Sequence, residues 1–486
     1  MTDQRKPAQL SISLLFICTF AIYASCLWLL KSADIYGAFL LSTCLIILIL
    51  PLWLTKDTFH PFILYIGMPF FSWINYSDKL LNGYSIRYSL DDSGGAKTYI
   101  ELSILMFAVW LGCMLLGYVL SNLAAARKSA PIRAGEHEER RYAGQYNFLY
   151  PKGLAAILLA ISIASFGYIF MLQGGMDAML AAMVNRREEY EGLAYIRNMV
   201  SLGGVSALLF LFGGAPKRGI AAAVLTTAMM MLFGGRGAAL LGVLLPFGIV
   251  YHYFIRRLSF ALLAPVAAGV LLIALMWGNM RMEGEMNLSV SGLGELMFKA
   301  GNQLQTADIV PAIVSGVDSG LIAFTYGEPI TRIFYAPIPR SIWPNKPITD
   351  ETGVVGYTLM GPDYWGLPAG NYGWAYFNFG WLGVIVLGVL TGACVWIWKR
   401  QLLEKRRSHL TMVLYASTIV YISQIFAASA QIKVLWMCGI CLLLLGLDQI
   451  LKLLFKGKHG KHLRMNSVID EGSRHGKENT IRRIPI

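Results

Sequence analysis

The sequence predicts an all-α polytopic membrane protein of about twelve transmembrane helices with one large outer loop. Three observations carry this prediction. Hydrophobic residues make up 56% of the chain and charged residues 14%, with a mean hydropathy of +0.55. Apolar runs approaching the ~20 residues that cross a bilayer recur from end to end. The basic residues behind a formal charge of +13 gather just beyond the ends of alternate runs. That placement is what membrane topology requires, and it argues against a nucleic-acid partner.

Twelve runs read as spans: Leu10–Leu30, Tyr36–Leu54, Pro61–Ile74, Ile100–Leu123, Gly153–Leu172, Val200–Phe212, Ile220–Phe233, Ala238–Ile255, Leu258–Trp277, Tyr376–Trp398, Leu410–Ala427 and Val434–Phe455. The third, sixth and seventh are short. The first follows Arg5 and Lys6 and is too long for a signal-peptide core, so it reads as an uncleaved span. With the N-terminus inside, the even-numbered gaps hold Lys56, then Arg127 to Lys152, Lys217–Arg218, Arg256–Arg257, and Lys399 to Arg407. These dense basic clusters belong in the cytoplasm. The tail after residue 455 carries eight Lys/Arg against three acids and is expected to lie inside, unstructured, near anionic lipid. The chain thus divides into nine helices over 1–277, an outer loop over 278–375, three helices over 376–455 and a basic tail over 456–486.

All seven cysteines (Cys18, Cys26, Cys44, Cys113, Cys394, Cys438, Cys441) fall inside apolar runs, which leaves no outer disulfide framework. Cys438-x-x-Cys441 has redox or zinc spacing, but in mid-span the pair reads as small packing residues.

The outer loop, roughly a hundred residues long, exceeds what a structureless connection in a compact protein should need. Its apolar content predicts folding against the membrane face, and Glu295 to Val310 has helical spacing that should end before Pro311. Thr331 to Pro347 is its most distinctive stretch. Pro337, Pro339, Pro344 and Pro347 forbid a regular helix or central strand. Arg332, Arg340 and Lys346 are strung along that stiff track with Phe334, Tyr335 and Trp343 between them, a composition suited to an anionic head group that carries sugars.

Histidine offers no outer base, because all seven (His60, His137, His252, His409, His459, His462, His475) fall on or beside the cytoplasmic side. Outer carboxylates are the remaining bases: Asp177, Glu283, Glu285, Glu295, Asp308, Asp318, Glu328, Asp350, Glu351 and Asp363. Each reads first as an ordinary solvated acid, and burial would have to raise its pKa for base duty. Asp91–Asp92 has oxygen ligands for a divalent ion but sits in a Ser/Gly-rich turn. No metal or other cofactor is expected. Outer arginines are more informative, since positive-inside bias makes each one ask for a reason. Arg186, Arg187, Arg236, Arg281, Arg332 and Arg340 are candidates to hold a pyrophosphate bidentately. Arg236 is the sharpest, in a Gly234-Gly235-Arg236-Gly237 turn at the membrane boundary, although a snorkelling arginine would look the same. Trp374, Tyr376 and Phe377 suit an interfacial aromatic belt. Asn378, polar and just inside the tenth span, does not.

Three patches resemble the Wzy-type oligosaccharide repeat-unit polymerases: Gly-Gly-Arg-Gly from Gly234, Pro-Arg-Ser-Ile-Trp-Pro-Asn-Lys-Pro from Pro339 to Pro347, and Tyr-Phe-Asn-Phe-Gly-Trp-Leu-Gly from Tyr376 to Gly383. The topology is similar over nearly the whole chain. The resemblance implies a fold like that of the glycosyltransferase C superfamily in a bacterial inner membrane, with both termini cytoplasmic. It implies transfer of a growing glycan from undecaprenyl pyrophosphate to an incoming lipid-linked repeat unit. Arg236, Arg340, Glu328 and Asp308 would be the catalytic residues. Arg186, Arg187, Arg281, Arg332, Trp343, Lys346 and Asn378 would bind substrate. The implied partners are undecaprenyl-pyrophosphate-linked oligosaccharides, membrane lipid, and flippase and chain-length regulator proteins. Relatives often carry a glutamate just before the aromatic-Asn-Phe-Gly run, where this chain has Trp374, so that role would be absent or would move to Asp363 or Glu328.

Three other functions fit the architecture less well. An O-antigen ligase resembles this chain but usually has a histidine in the large outer loop. A lipid-linked oligosaccharide flippase should show charges within the spans or repeated halves, and neither is present. A structural subunit of a polysaccharide export complex is the third alternative, and the sequence leaves it open.

Overall fold

The computed structural model describes residues 34–54, 57, 59–86, 88, 95–128, 147–182, 193–283, 306–336, 338, 342–348, 351–361, 366–405 and 408–478. Helices α1 to α4 are Ile35–Leu54, Pro61–Asn82, Ala96–Lys128 and Pro151–Gln173. Helices α5 to α8 are Met176–Ala182, Ala194–Val200, Leu202–Phe212 and Pro216–Leu232. Then come α9 (Arg236–Ala239), α10 (Leu245–Val250), α11 (Phe260–Glu283), α12 (Thr306–Asp318), α13 (Glu328–Thr331), α14 (Glu351–Met360), α15 (Gly370–Trp398), α16 (His409–Ile422) and α17 (Ala428–Glu478). There is no strand among the described residues. Starts follow local chemistry: proline opens α2, α4 and α8, where its missing N–H costs nothing, and Ser408 with Thr411 forms a capping box on α16.

Six helices are long and apolar enough to cross a membrane: Ala96–Arg127, Pro151–Gln173, Ala194–Phe212, Gly237–Ile255, Gly370–Lys405 and Ser429–Phe455. Two shorter apolar helices, Ile35–Pro51 and His409–Ile422, accompany them. The chain is a multi-pass membrane protein. The expected first span, Leu10–Leu30, lies outside the described residues. Expected spans 3, 7 and 9 are all helical, as α2, α8 and α11.

Long-range polar contacts sort the helix ends into two rims. At one, Lys79 meets Asp308 at 2.6 Å, Tyr99 bonds Asp318 at 3.0 Å and the Ser429 amide bonds Glu351 at 3.0 Å. At the other, His252 approaches Asp57 at 3.6 Å, His60 meets Tyr118 at 3.0 Å and the Leu149 amide bonds Asp448 at 3.1 Å. Every pair joins residues that alternating spans put on the same side. The first rim carries α12 to α14 and is called the loop rim here. His60, His252 and His409 all have their contacts at the opposite rim.

Three expectations need correction. The helix expected to end before Pro311 runs through it, as Thr306–Asp318; residues 295–305 of that expectation lie outside the described residues. Thr306 to Gly316 are all buried, and that burial outweighs the main-chain bond the proline forfeits. Helix α2 holds it in place: the Asn75 side chain accepts from the Ala307 amide at 2.7 Å, and Lys79, one turn on, takes Asp308. The tail expected to be unstructured continues α17 to Glu478, since no proline interrupts the ladder before Pro485. The tenth span starts earlier, at Gly370, and is broken: Phe379 (φ −140°) and Gly380 (φ 61°, ψ −149°) leave the helical region.

Helices α3 and α15 form the most intimate crossing. A Cβ on Gly392 would sit 1.9 Å from the Met114 carbonyl oxygen, and one on Gly117 2.0 Å from that of Val389. Gly388 and Gly392 form a small-xxx-small pair that lets the backbones touch. Gly392→Leu is therefore expected to destabilise by ~3 kcal/mol or more, the upper end of overpacking costs. Gly439→Leu, whose Cβ would meet nothing within 4 Å, should change little. Thermal unfolding of both variants in detergent checks this, and equal melting temperatures would remove the crossing from the account.

Candidate functional site

A helix broken inside a membrane must have its freed carbonyls satisfied by other protein groups. Here the segment after α12 does so. Leaving α12 through Gly320 (φ 73°), the chain buries Ile322 and runs as a strap against the break. The Thr325 amide donates to the Phe377 carbonyl at 3.2 Å and the Tyr326 amide to that of Asn378 at 2.9 Å. The Thr325 hydroxyl donates to Asn378 Oδ1 at 3.0 Å, and Asn378 Nδ2 donates to the Trp374 carbonyl at 2.8 Å. Asn378 is wholly buried and both ends of its amide are used.

Glycine is required on both sides of this joint. Gly380 has a φ/ψ pair that only glycine adopts readily, and a Cβ there would stand 3.1 Å from the Phe324 ring. Gly327 (φ 82°) would strike the Phe379 ring at 2.7 Å, and Gly383 would lie 2.3 Å from the Ala375 carbonyl oxygen. Tyr326 itself has φ 48°, an uncommon conformation for a residue with a side chain, and its ring is 76% exposed. The Asn-Phe-Gly-Trp-Leu-Gly motif is thus the sequence of a helix break and its docking groove.

Beyond Gly327 the strap opens into α13 and a 3₁₀ turn over Arg332–Phe334. Arg332 reaches back to Glu328, with Nη2 2.6 Å from Oε2 and Nε 3.0 Å from Oε1, while Nη1 donates to the Ile348 carbonyl. Lys346 Nζ donates to the carbonyls of Ala336 at 3.1 Å and Ile338 at 2.7 Å. The Tyr335 and Trp343 rings lie 5.5 Å apart. Burial pushes the Tyr335 hydroxyl up, against the pull of Arg332. Phe334 and Ile342 are exposed. The structure therefore brings Glu328, Arg332, Trp343 and Lys346 into one folded turn at the loop rim, with Asn378 anchoring its stem.

Other expected residues are placed elsewhere. Asp308 is buried in the first turn of α12, paired with Lys79, the two side chains 12% and 14% exposed. Arg236 opens α9 just after Gly234 (φ 66°). Arg281 lies in the last turn of α11, whose Trp277 donates to the Met231 carbonyl at 3.0 Å, so those two helix ends are neighbours. Arg186, Arg187, Arg340 and Asp363 lie outside the described residues. Lys79 escapes sequence reasoning built on outer arginines, although an outer lysine asks for a reason just as much. A second carboxylate cluster, also unanticipated, surrounds Asp34. Burial would raise that carboxyl, but the Gly37 amide, Tyr84, Glu101 and the Lys97 charge together hold it below its ordinary value.

If Asn378 is the pin of the strap, Asn378→Ala should free it. Hydrogen exchange at the Thr325 and Tyr326 amides is then expected to accelerate by about tenfold or more, from the ~1–3 kcal/mol cost of orphaned buried partners. Unaltered exchange at both amides would refute the pinning role.

No curated protein and no solved structure matches the chain. Its residues 9–458 match the family model described as O-antigen polysaccharide polymerase Wzy. That range takes in the broken helix, the strap and every other part of the loop rim, and the chain belongs to the O-antigen polysaccharide polymerase Wzy family.

Proposed function

We propose that this polymerase works at the outer face of a bacterial inner membrane, where it extends a glycan carried on undecaprenyl pyrophosphate. The terminal hydroxyl of an incoming lipid-linked repeat unit attacks the anomeric carbon of the growing chain. The bond from that carbon to the phosphate oxygen breaks, and undecaprenyl pyrophosphate leaves. Catalysis then needs cations where charge develops on the diphosphate and a carboxylate that accepts the hydroxyl proton. The basic clusters beyond alternate spans support a cytoplasmic opposite rim and an outward loop rim.

The observation that carries the reading is the turn the strap delivers to the loop rim, with an acid, a guanidinium and two neighbouring aromatic rings together. Glu328 is the more accessible of the two carboxylates to a substrate hydroxyl. Its side chain is 57% exposed, against 16% for Arg332. Arg332 is held from the other side by the Ile348 carbonyl, so it can turn from the solvent-facing acid to a phosphate without leaving its place. Asp308 is held by Lys79 in a nearly dry pair, so we assign it to positioning α12. Arg236, Arg281 and Arg340 are assigned to the diphosphate, together with Arg186 and Arg187. Tyr335 and Trp343 are assigned to sugar faces.

A strain lacking the protein is expected to display surface glycan of one repeat unit, restored to full length by the wild-type gene. Long polymer made on the carrier but never attached would point to a ligase instead. Arg236→Ala, Arg340→Ala and Glu328→Gln are each expected to cut polymer by ~100-fold or more, the typical loss of one transition-state contact, with the protein still in the membrane. Full-length polymer from both arginine variants would remove the diphosphate role.

A further inference from the structure

Tyr326 stands where turn chemistry argues against it. The strap ends in a tight four-residue turn, closed by the Glu328 amide donating to the Thr325 carbonyl at 3.0 Å. The two central residues, Tyr326 and Gly327, both have positive φ, 48° and 82°. Two positive φ values in succession are those of a type I′ turn, whose first central position suits Asn, Asp or Gly. Gly327 obeys the pattern. Tyr326 breaks it, because a Cβ and a bulky ring crowd the backbone in the left-handed region.

The packing of the ring does not offset that strain. It is exposed, and it meets Phe324 edge-on with the ring centres 6.2 Å apart. Behind it the aromatic row continues inward, from Phe324 to Tyr376 at 5.8 Å and from Tyr376 to Trp381 at 6.4 Å. Tyr376 is buried, so the row is rooted in the bundle and Tyr326 is its outer end. The backbone is held as well, since the Tyr326 amide is bonded to the Asn378 carbonyl. A strained residue that its surroundings hold in place, with its side chain left in the open, points to function.

Position along the chain says which function. Glu328 follows Tyr326 by two residues, and the Tyr335–Trp343 pair lies beyond it. A reaction that joins two glycans must hold sugar on both sides of the group that takes the hydroxyl proton. Tyr335 and Trp343 serve one of them. Among the described residues of the strap, Tyr326 is the exposed ring that precedes the acid. The face of an aromatic ring is electron-rich, and the C–H face of a pyranose is its electropositive complement.

We propose that Tyr326 is a second sugar platform, stacking on the C–H face of a pyranose in the other of the two glycans. The assignment of that ligand rests on the polymerase reading above.

The test uses the full-length protein in phosphatidylcholine nanodiscs. The probe is the free oligosaccharide of one repeat unit of the parent strain's surface glycan. Affinity is read by saturation-transfer NMR and stability by thermal unfolding. Wild type is expected to bind the probe, and absence of binding overturns the platform. Tyr326→Asn gives the turn the Asn-Gly pair it prefers. Its melting temperature should equal or exceed that of wild type while affinity falls by about tenfold or more, the loss of one aromatic anchor. A lower melting temperature would show that the ring supports the fold, and undiminished affinity would leave it an interfacial belt residue; either result overturns the proposal. Tyr326→Phe keeps the ring and should retain most of the affinity. A loss as large as that of Tyr326→Asn would assign the contact to the hydroxyl and overturn the stacking. The polymerase reading fails separately: wild type that binds the oligosaccharide but restores no chain extension in the deletion strain would sink that reading and leave the platform standing.

Discussion

Breaking a helix inside hydrocarbon is tolerable only if the exposed carbonyls are met by other protein groups, and the architecture around α15 follows from that requirement. The carbonyls of Phe377 and Asn378 are met by the amides of Thr325 and Tyr326. That pairing fixes where the strap runs. The strap fixes where α13 begins, and α13 fixes the spacing of Glu328 and Arg332. Upstream, α12 must be anchored before the strap can be aimed. Asn75, Tyr76 and Lys79 on α2 provide that anchor at Ala307, Thr306 and Asp308. Below the break, the glycine crossing of α15 on α3 holds the rest of the helix rigid. A loop that the sequence shows as an insertion between spans is thus wired into the bundle at both ends.

Much of this was legible in the sequence. Apolar runs locate the helices because a bilayer admits little else, and basic clusters alternate because topology requires it. Gly380 and Asn378 sat in a motif that carried part of the family resemblance. Their work was hidden, because a polar residue inside a span looks the same whether it meets a ligand or pins a strap. Its partner, Thr325, is 53 residues away, and Lys79 is 229 residues from Asp308. No local pattern encodes such pairings. The end of α12 was misplaced for a related reason. Periodicity sees Pro311 as a stop, whereas the helix there is held by burial and by α2, which outweigh one missing main-chain bond.

The cations of the loop rim fall into two groups that composition cannot separate. Lys346, Lys79 and Arg332 sit in a region rich in positive charge, yet each already has acceptors: two carbonyls, a buried carboxylate, and an acid with a carbonyl. Their first contribution is to the fold. Arg332 alone among them has a carboxylate partner that faces solvent, and such an acid is suited to being exchanged for another anion.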